Sequence, residues 1–241
     1  NTQDWDFLNT SEDKPMVNRA LNGAYPPGST FKPYMALAAL ESGKRTAQQA
    51  IADPGFFSFG GHTFMDDKKG GHGMVDMYKS IVQSCNTYYY LLANDLGIDT
   101  ISRFMAQFGF GSRTGIDIAG ESKGVLPSQE WKKERFRKPE QQKWYAGETI
   151  SVGIGQGYNA YTPIQLAQAM AALANNGVVF RPHLVKHIVN NRTGEKIPIE
   201  AQPARTIPLK PQNVETIKRA LVGVNKEGTG ARVFAGAEYE V

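Results

Sequence analysis

Residues 25–33 read Y-P-P-G-S-T-F-K-P, and residues 34–43 continue Y-M-A-L-A-A-L-E-S-G. The prolines and glycine of the first run turn the chain. The second run is apolar at helical spacing and meets a C-terminal stop at Gly43, so a helix is predicted over residues 30–42. Pro33 is tolerated in its first turn because those amides have no intrahelical acceptor to lose, and Gly28 lets the chain turn sharply into it. The turn-makers therefore aim a helix start. Residues three apart on a helix share a face, which sends Ser29 and Lys32 into one cleft.

A hydroxyl beside an amine, over free backbone amides at the positive end of a helix dipole, suits acyl transfer, because that end favours an alkoxide and a developing oxyanion. A lysine acting as base must be neutral, so burial has to bring its pKa from about 10.4 to about 7–8. The plainer reading makes Ser29 an N-cap and Lys32 a solvated first-turn residue. A second group lies further on, S-C-N at Ser84, Cys85 and Asn86, between two helical patterns. Across a non-helical joint, residues i and i+2 project to one side, so Ser84 and Asn86 can face the same cleft, Ser84 to relay a proton and Asn86 to hold an amide. The alternative is that Asn86 caps the helix that follows.

The whole chain of 241 residues is 41% hydrophobic, enough to fill a sizeable core in one domain. Its formal charge is +4 with acids and bases interspersed, and no Lys/Arg stripe with stacking aromatics marks a nucleic-acid partner. No apolar run approaches the roughly 18 residues of a membrane span, and the opening N-T-Q-D-W-D-F-L has no signal-peptide character. Membrane contact is expected only through an anchor outside this chain. Cys85 is the single cysteine and cannot make an intrachain disulfide.

Residues 1–24 are polar and weakly periodic and are read as an extended lead-in. The glycine-rich stretch 53–73 predicts turns and a short hairpin. Helices are expected over 76–83, 87–95 (closed by Gly97), 99–108 (capped by Asp99) and 129–136 (capped by Ser128), with K-P-E-Q-Q-K-W-Y-A-G at 138–147 as a polar connector. Residues 163–176, with proline in the first turn and Gly177 past the end, are the strongest helix. Residues 184–189 and 197–199 flank N-N-R-T-G-E and predict a hairpin, and 211–224 a last helix. The glycines of G-I-G-Q-G at 153–157 lack the spacing and lysine of a phosphate loop and are read as a close backbone approach. Tyr88, Tyr89 and Tyr90 cover more than one helix face and are read as core, with at least one near the cleft mouth.

P-P-G-S-T-F-K-P, then S-C-N, then S-V-G-I-G-Q-G-Y-N-A-Y-T-P-I-Q-L-A resemble the penicillin-binding proteins, whose signatures are S-x-x-K, S-x-N and K-[ST]-G. R-A-L-N-G-A-Y at 19–25, L-G-I-D, F-G-F-G, G-I-D-I and G-E-T-I more specifically resemble the elongation-type class B transpeptidases, from about residue 18 onward. The resemblance implies an α+β transpeptidase fold shared with serine β-lactamases. Here it would be mostly the helical part, with the first and last sheet strands missing: residues 25–177 as a helical subdomain bearing the first two motifs, and 178–241 as a hairpin and helix leading toward the third. It implies that Ser29 is the nucleophile, acylated by the penultimate D-alanine of a stem peptide or by a β-lactam. Lys32 would be its base, Ser84 and Asn86 would complete the second motif, and the Ser29 N–H would be one oxyanion donor. No cofactor is implied for catalysis. Stem peptides, a polymerising glycosyltransferase of the SEDS type and other elongation proteins are the implied partners, at the periplasmic face of the inner membrane.

K-[ST]-G does not occur in the 241 residues; K-E-G-T-G at 226–230 does not fit it. The resemblance implies that the strand bearing that motif supplies a second oxyanion N–H, and losing such a donor typically costs about 10²–10³ in rate, so this stretch alone is expected to hold an incomplete site and to be inactive or weakly active. Two alternatives accompany the transpeptidase reading: a serine β-lactamase or β-lactam sensor, and a non-catalytic scaffold of the elongation machinery.

Asp53, Asp66, His72 and Cys85 make a tetrahedral zinc set at loop positions, with His62 and Asp67 as rival ligands. The resemblance supports it, since elongation-type members carry Asp, Asp, His and Cys in the corresponding stretch, where a structural zinc would fix the second motif's loop. The plain alternative is a turn at Asp53, solvated acids, a loop histidine and a small buried thiol.

Overall fold

The computed structural model describes residues 2–239. The chain opens with α1 (Thr2–Thr10) and α2 (Arg19–Asn22), then a 3-10 turn (Gly28–Phe31) that runs into α3 (Lys32–Glu41). Four short strands follow, β1 (Ile51–Asp53), β2 (Phe56–Phe59), β3 (His62–Met65) and β4 (Gly73–Val75). Next come α4 (Met77–Val82), α5 (Asn86–Gln107), α6 (Gln129–Arg135), α7 (Pro139–Gln142), α8 (Ala146–Gly153) and α9 (Pro163–Ala174). Strands β5 (Val178–Phe180), β6 (His187–Val189), β7 (Lys196–Pro198) and β8 (Pro203–Thr206) precede α10 (Pro211–Lys226) and α11 (Ala231–Phe234). The strands pair antiparallel in twos, β1 with β4, β2 with β3, β5 with β8 and β6 with β7. The architecture is α+β, dominated by helices. Among the described residues no helix is long and apolar enough to cross a membrane.

Every residue of α3 from Lys32 to Ala39 is buried, as a helix apolar on all sides must be. It packs on α5 and α10, and α5 packs in turn on α8. Tyr34 and Phe31 meet Phe108 and Phe110 edge to face at ring separations of 5.1–5.6 Å. Tyr88, Tyr89 and Tyr90 are all buried, so the core reading holds for all three.

The capping expectation is met at Ser128, whose Oγ accepts from the Trp131 N–H at 3.0 Å, but not at Asp99, which lies inside α5 and accepts instead from the Gln129 amide at 3.0 Å; Thr162 before Pro163 adds a reciprocal cap with Gln165 that was not expected. The patterns either side of Gly97 are one assigned helix, α5, with Gly97 at φ 72°, ψ 157° inside it. That left-handed φ is why the chain reads as two helices there. The expected hairpin is β6–β7, with Ile188 opposite Ile197.

Two expectations are corrected. Residues 2–22 are not an extended lead-in, residue 1 lying outside the described residues: α1 forms on Asp4 in its first turn, which favours the helix dipole, with the Thr10 hydroxyl donating to the Asp6 carbonyl at 2.6 Å, and α2 follows. The connector at 138–147 holds α7 and the start of α8. There the Glu148 carboxylate accepts from the Tyr145 N–H at 2.8 Å, a capping contact that a weak local propensity does not reveal.

Candidate active site

The nucleophile turn is built from backbone. Tyr25 and Tyr161 form an isolated antiparallel bridge, exchanging N–H···O bonds of 2.9 Å each way. Two residues past Pro26, the Gly28 N–H donates to the Gly155 carbonyl at 3.0 Å. Gly28 has φ +56°, and Gly155 has φ +71° with a position where an added Cβ would lie 2.2 Å from the Gly28 carbonyl. The close approach read from G-I-G-Q-G is thus the wall against which the serine turn is set.

Ser29 and Lys32 sit one 3-10 turn apart, where i and i+3 eclipse, with the Lys32 N–H donating to the Ser29 carbonyl. The S-C-N joint lies between α4 and α5. Ser84 takes the left-handed φ of +56°, uncommon for a residue with a Cβ, and this throws its side chain toward Lys32. The Lys32 ammonium donates to the Ser84 carbonyl at 2.6 Å, to Ser84 Oγ at 3.0 Å and to Asn86 Oδ1 at 2.6 Å. Ser84 Oγ donates to Ser29 Oγ at 2.8 Å. Lys32 is 1% exposed and Asn86 is the first residue of α5, its amide turned to the lysine and not to a capping contact. Neither plain reading survives: Lys32 is not solvated and Asn86 is not a cap.

Burial lowers the Lys32 pKa from 10.5 to about 8, against the pull of Asp67 and Asp66, which favour the charged form. Its Nζ also lies 5.5 Å from the centre of the buried Tyr89 ring; the expected tyrosine at the cleft mouth is not there, since Tyr88, Tyr89 and Tyr90 are all buried and none lines the cleft. The cleft over these groups has a volume of about 250 Å³. Ser29, Lys32 and Ser84 line it with Met170 of α9, Leu221 and Val224 of α10, and Thr229 beyond α10. The sequence reading missed those apolar walls. The i, i+3 spacing of Leu221 and Val224 was the available signal, but it marks a buried face without saying what that face encloses.

The four residues of the zinc expectation come together. Asp53, Asp66, His72 and Cys85 are all buried, with one ligand atom from each within 4.8 Å of the others. His72 Nδ1 is 2.8 Å from Asp53 Oδ2, and the Cys85 thiol donates to Asp53 Oδ2 and Asp66 Oδ2 at 3.4 Å each. Burial pushes the Cys85 thiol up and both carboxylates push the same way, so without a cation it is a neutral donor between two buried anions. A nitrogen, a sulfur and two carboxylates fit a divalent cation of borderline softness. The rivals fall away: His62 and Asp67 are both exposed, outside this buried cluster.

The family model of the penicillin-binding protein transpeptidase domain matches residues 2–241. The peptidoglycan D,D-transpeptidase MrdA of Acinetobacter baumannii is 44% identical over 235 residues, covering 95% of this chain and 34% of that protein. The chain thus spans about a third of that relative's length. Among solved structures, Pseudomonas aeruginosa PBP2 in complex with WCK 5153 superimposes with a TM-score of 0.89 at 40% identity, covering 100% of this chain and 54% of the other. PBP2 of Helicobacter pylori, solved in a complex with MreC, gives a TM-score of 0.82 at 29% identity, covering 100% of this chain and 42% of the other.

Proposed function

This chain belongs to the penicillin-binding protein transpeptidase family, and from that premise we propose that the protein carrying it is a peptidoglycan D,D-transpeptidase acting through a Ser29 acyl-enzyme. The observation that carries the proposal is the unbroken path from Ser29 Oγ through Ser84 Oγ to a buried Lys32.

When Lys32 is neutral the hydrogen bonds of that path reverse: Ser29 donates to Ser84, and Ser84 to Lys32 Nζ. Ser29 Oγ attacks the carbonyl of the penultimate D-alanine, and its proton reaches Lys32. The C–N bond to the terminal D-alanine breaks, and that amine leaves with the proton returned through Ser84. An acceptor amine then attacks the ester, gives its proton back along the same path, and releases Ser29 with a new amide. Asn86 keeps Oδ1 on Lys32 and presents Nδ2 to a substrate amide carbonyl. A β-lactam enters the same path through its ring amide and stays on the serine.

The place of action is the periplasmic face of the inner membrane, in the assembly that elongates the wall; the MreC complex of the H. pylori relative supports an elongation partnership. A structural zinc on Asp53, Asp66, His72 and Cys85 belongs to the same reading, supported by the buried donor set. When bound it would neutralise the two carboxylates and tie β1 and the β4 approach to the residue between Ser84 and Asn86, while taking no part in acyl transfer.

The test supplies the encoded protein with pentapeptide donor and an amine acceptor and follows cross-linked dimer by mass spectrometry. Dimer formation that is lost in Ser29→Ala supports the proposal. Simple hydrolysis of β-lactams, with rapid clearance of the adduct and no dimer, overturns it in favour of a β-lactamase.

A further inference from the structure

The region from α6 to α7 carries charge that acyl transfer does not use. Residues 132–143 hold six Lys/Arg against two Glu, a net +4 equal to that of the whole chain, so the remainder balances to zero. One of the six is internal. The Lys132 ammonium is buried, pairs with Glu148, donates to the Lys143 carbonyl at 2.7 Å and lies 5.2–5.7 Å from the rings of Trp144, Tyr145 and Tyr158.

The other five are Lys133, Arg135, Arg137, Lys138 and Lys143, all exposed, and among the described residues none of them makes a salt bridge. They stand on a fixed base. Trp131, Phe136 and Tyr158 pack ring to ring at 5.1–6.3 Å, and the Gln142 amide donates to the Phe136 carbonyl at 2.9 Å. The backbone that carries the five cations is thus held in place, so binding an anion has to order their side chains alone. Tyr145 is 51% exposed at its edge, with its ring 5.4 Å from the Lys143 ammonium.

This face is also joined to the catalytic turn. Glu148, the partner of Lys132, lies in the first turn of α8, a helix of eight residues and so about 12 Å long. Just past its other end, the Gly155 carbonyl holds the Gly28 N–H beside Ser29.

Resting on the transpeptidase reading, we propose that this face docks the anionic glycan–peptide polymer on which the reaction acts, its stem-peptide carboxylates on the five exposed cations and a sugar face against Tyr145. A lipid surface is the weaker fit, because binding there needs an apolar wedge beside the basic residues. The rings of Trp131, Phe136 and Trp144 are instead half-buried against their own neighbours.

The experiment is co-sedimentation of the encoded protein with insoluble peptidoglycan and, separately, with phosphatidylglycerol vesicles. Wild type is compared with Lys133→Glu/Arg137→Glu/Lys138→Glu, and penicillin labelling of Ser29 is read in parallel. The triple variant is expected to lose peptidoglycan affinity on the order of tenfold, with labelling unchanged and wild-type binding weakened by salt. Unchanged peptidoglycan affinity, or a loss confined to the vesicles, overturns the proposal. Should circular dichroism show the triple variant misfolded, the exposed Arg137→Gln is used, with a loss of about twofold expected and no loss counting against the proposal. The two readings fail separately. Wild type that binds the polymer but takes no penicillin at Ser29 sinks the catalytic reading, and labelling at Ser29 with an unaffected triple variant sinks the surface.

Discussion

Raising the pH should accelerate acylation of Ser29, and the size of the effect follows from the burial of Lys32. The lysine is 1% exposed, and its pKa falls from 10.5 to about 8. That difference corresponds to about 3 kcal/mol against the charged form. At pH 7 about a tenth of the molecules then hold the neutral amine that can take the Ser29 proton through Ser84. The second-order rate constant for a chromogenic β-lactam should therefore rise about tenfold between pH 7 and a plateau above about pH 9, with a limb of one decade per pH unit below 7. Asp67 is the carboxylate that most favours the charged lysine. Asp67→Asn should move the midpoint below that of wild type and speed acylation at pH 7. The assay is stopped-flow acylation across about pH 6 to about pH 10 for both proteins. A flat profile, or a rate that falls as pH rises through 8, refutes the neutral-lysine mechanism. An Asp67→Asn midpoint above that of wild type refutes its electrostatic basis.

Three further outcomes follow from the same geometry. Ser84→Ala removes the link between Ser29 and Lys32 and should slow acylation by about 10²–10³, with thermal stability changed little. Gly155→Ala places a Cβ 2.2 Å from the Gly28 carbonyl at a φ of +71° and should cost about 1–3 kcal/mol by urea unfolding as well as slowing acylation. Gly60→Ala, with φ +57° but open space, is its control and should leave acylation untouched. Metal analysis of the purified protein should find one zinc per chain, lost in Cys85→Ser; a metal-free parent would end the zinc proposal.

The parts legible in the sequence are those where a local rule and the tertiary structure agree. Y-P-P-G-S-T-F-K-P gave away a helix start because proline in a first turn and a left-handed glycine have few other uses, and α3 follows it. Ser128 was readable as a cap, whereas Asp99 was not one, because the helix runs on through Gly97 and carries Asp99 in its interior. The bearing of Ser84 was only half legible: its side of the cleft follows from the non-helical joint, but its φ of +56° is one that residues with a Cβ seldom take and that no local signal announces. Helix α8 was hidden because its start depends on Glu148 reaching back to Tyr145 and on Lys132 from another helix, contacts with no local signature. The cleft walls on α9 and α10 were hidden for a related reason. Met170 and Leu221 look like any other apolar face until the helices are brought together over Ser29.

The central claim is that Ser29 is the nucleophile. Its most direct test is intact-mass and peptide mapping of the encoded protein after exposure to a penicillin. The account predicts a single, persistent penicilloyl adduct on the peptide containing Ser29, absent from Ser29→Ala. An adduct on another residue, or one retained by Ser29→Ala, would contradict it.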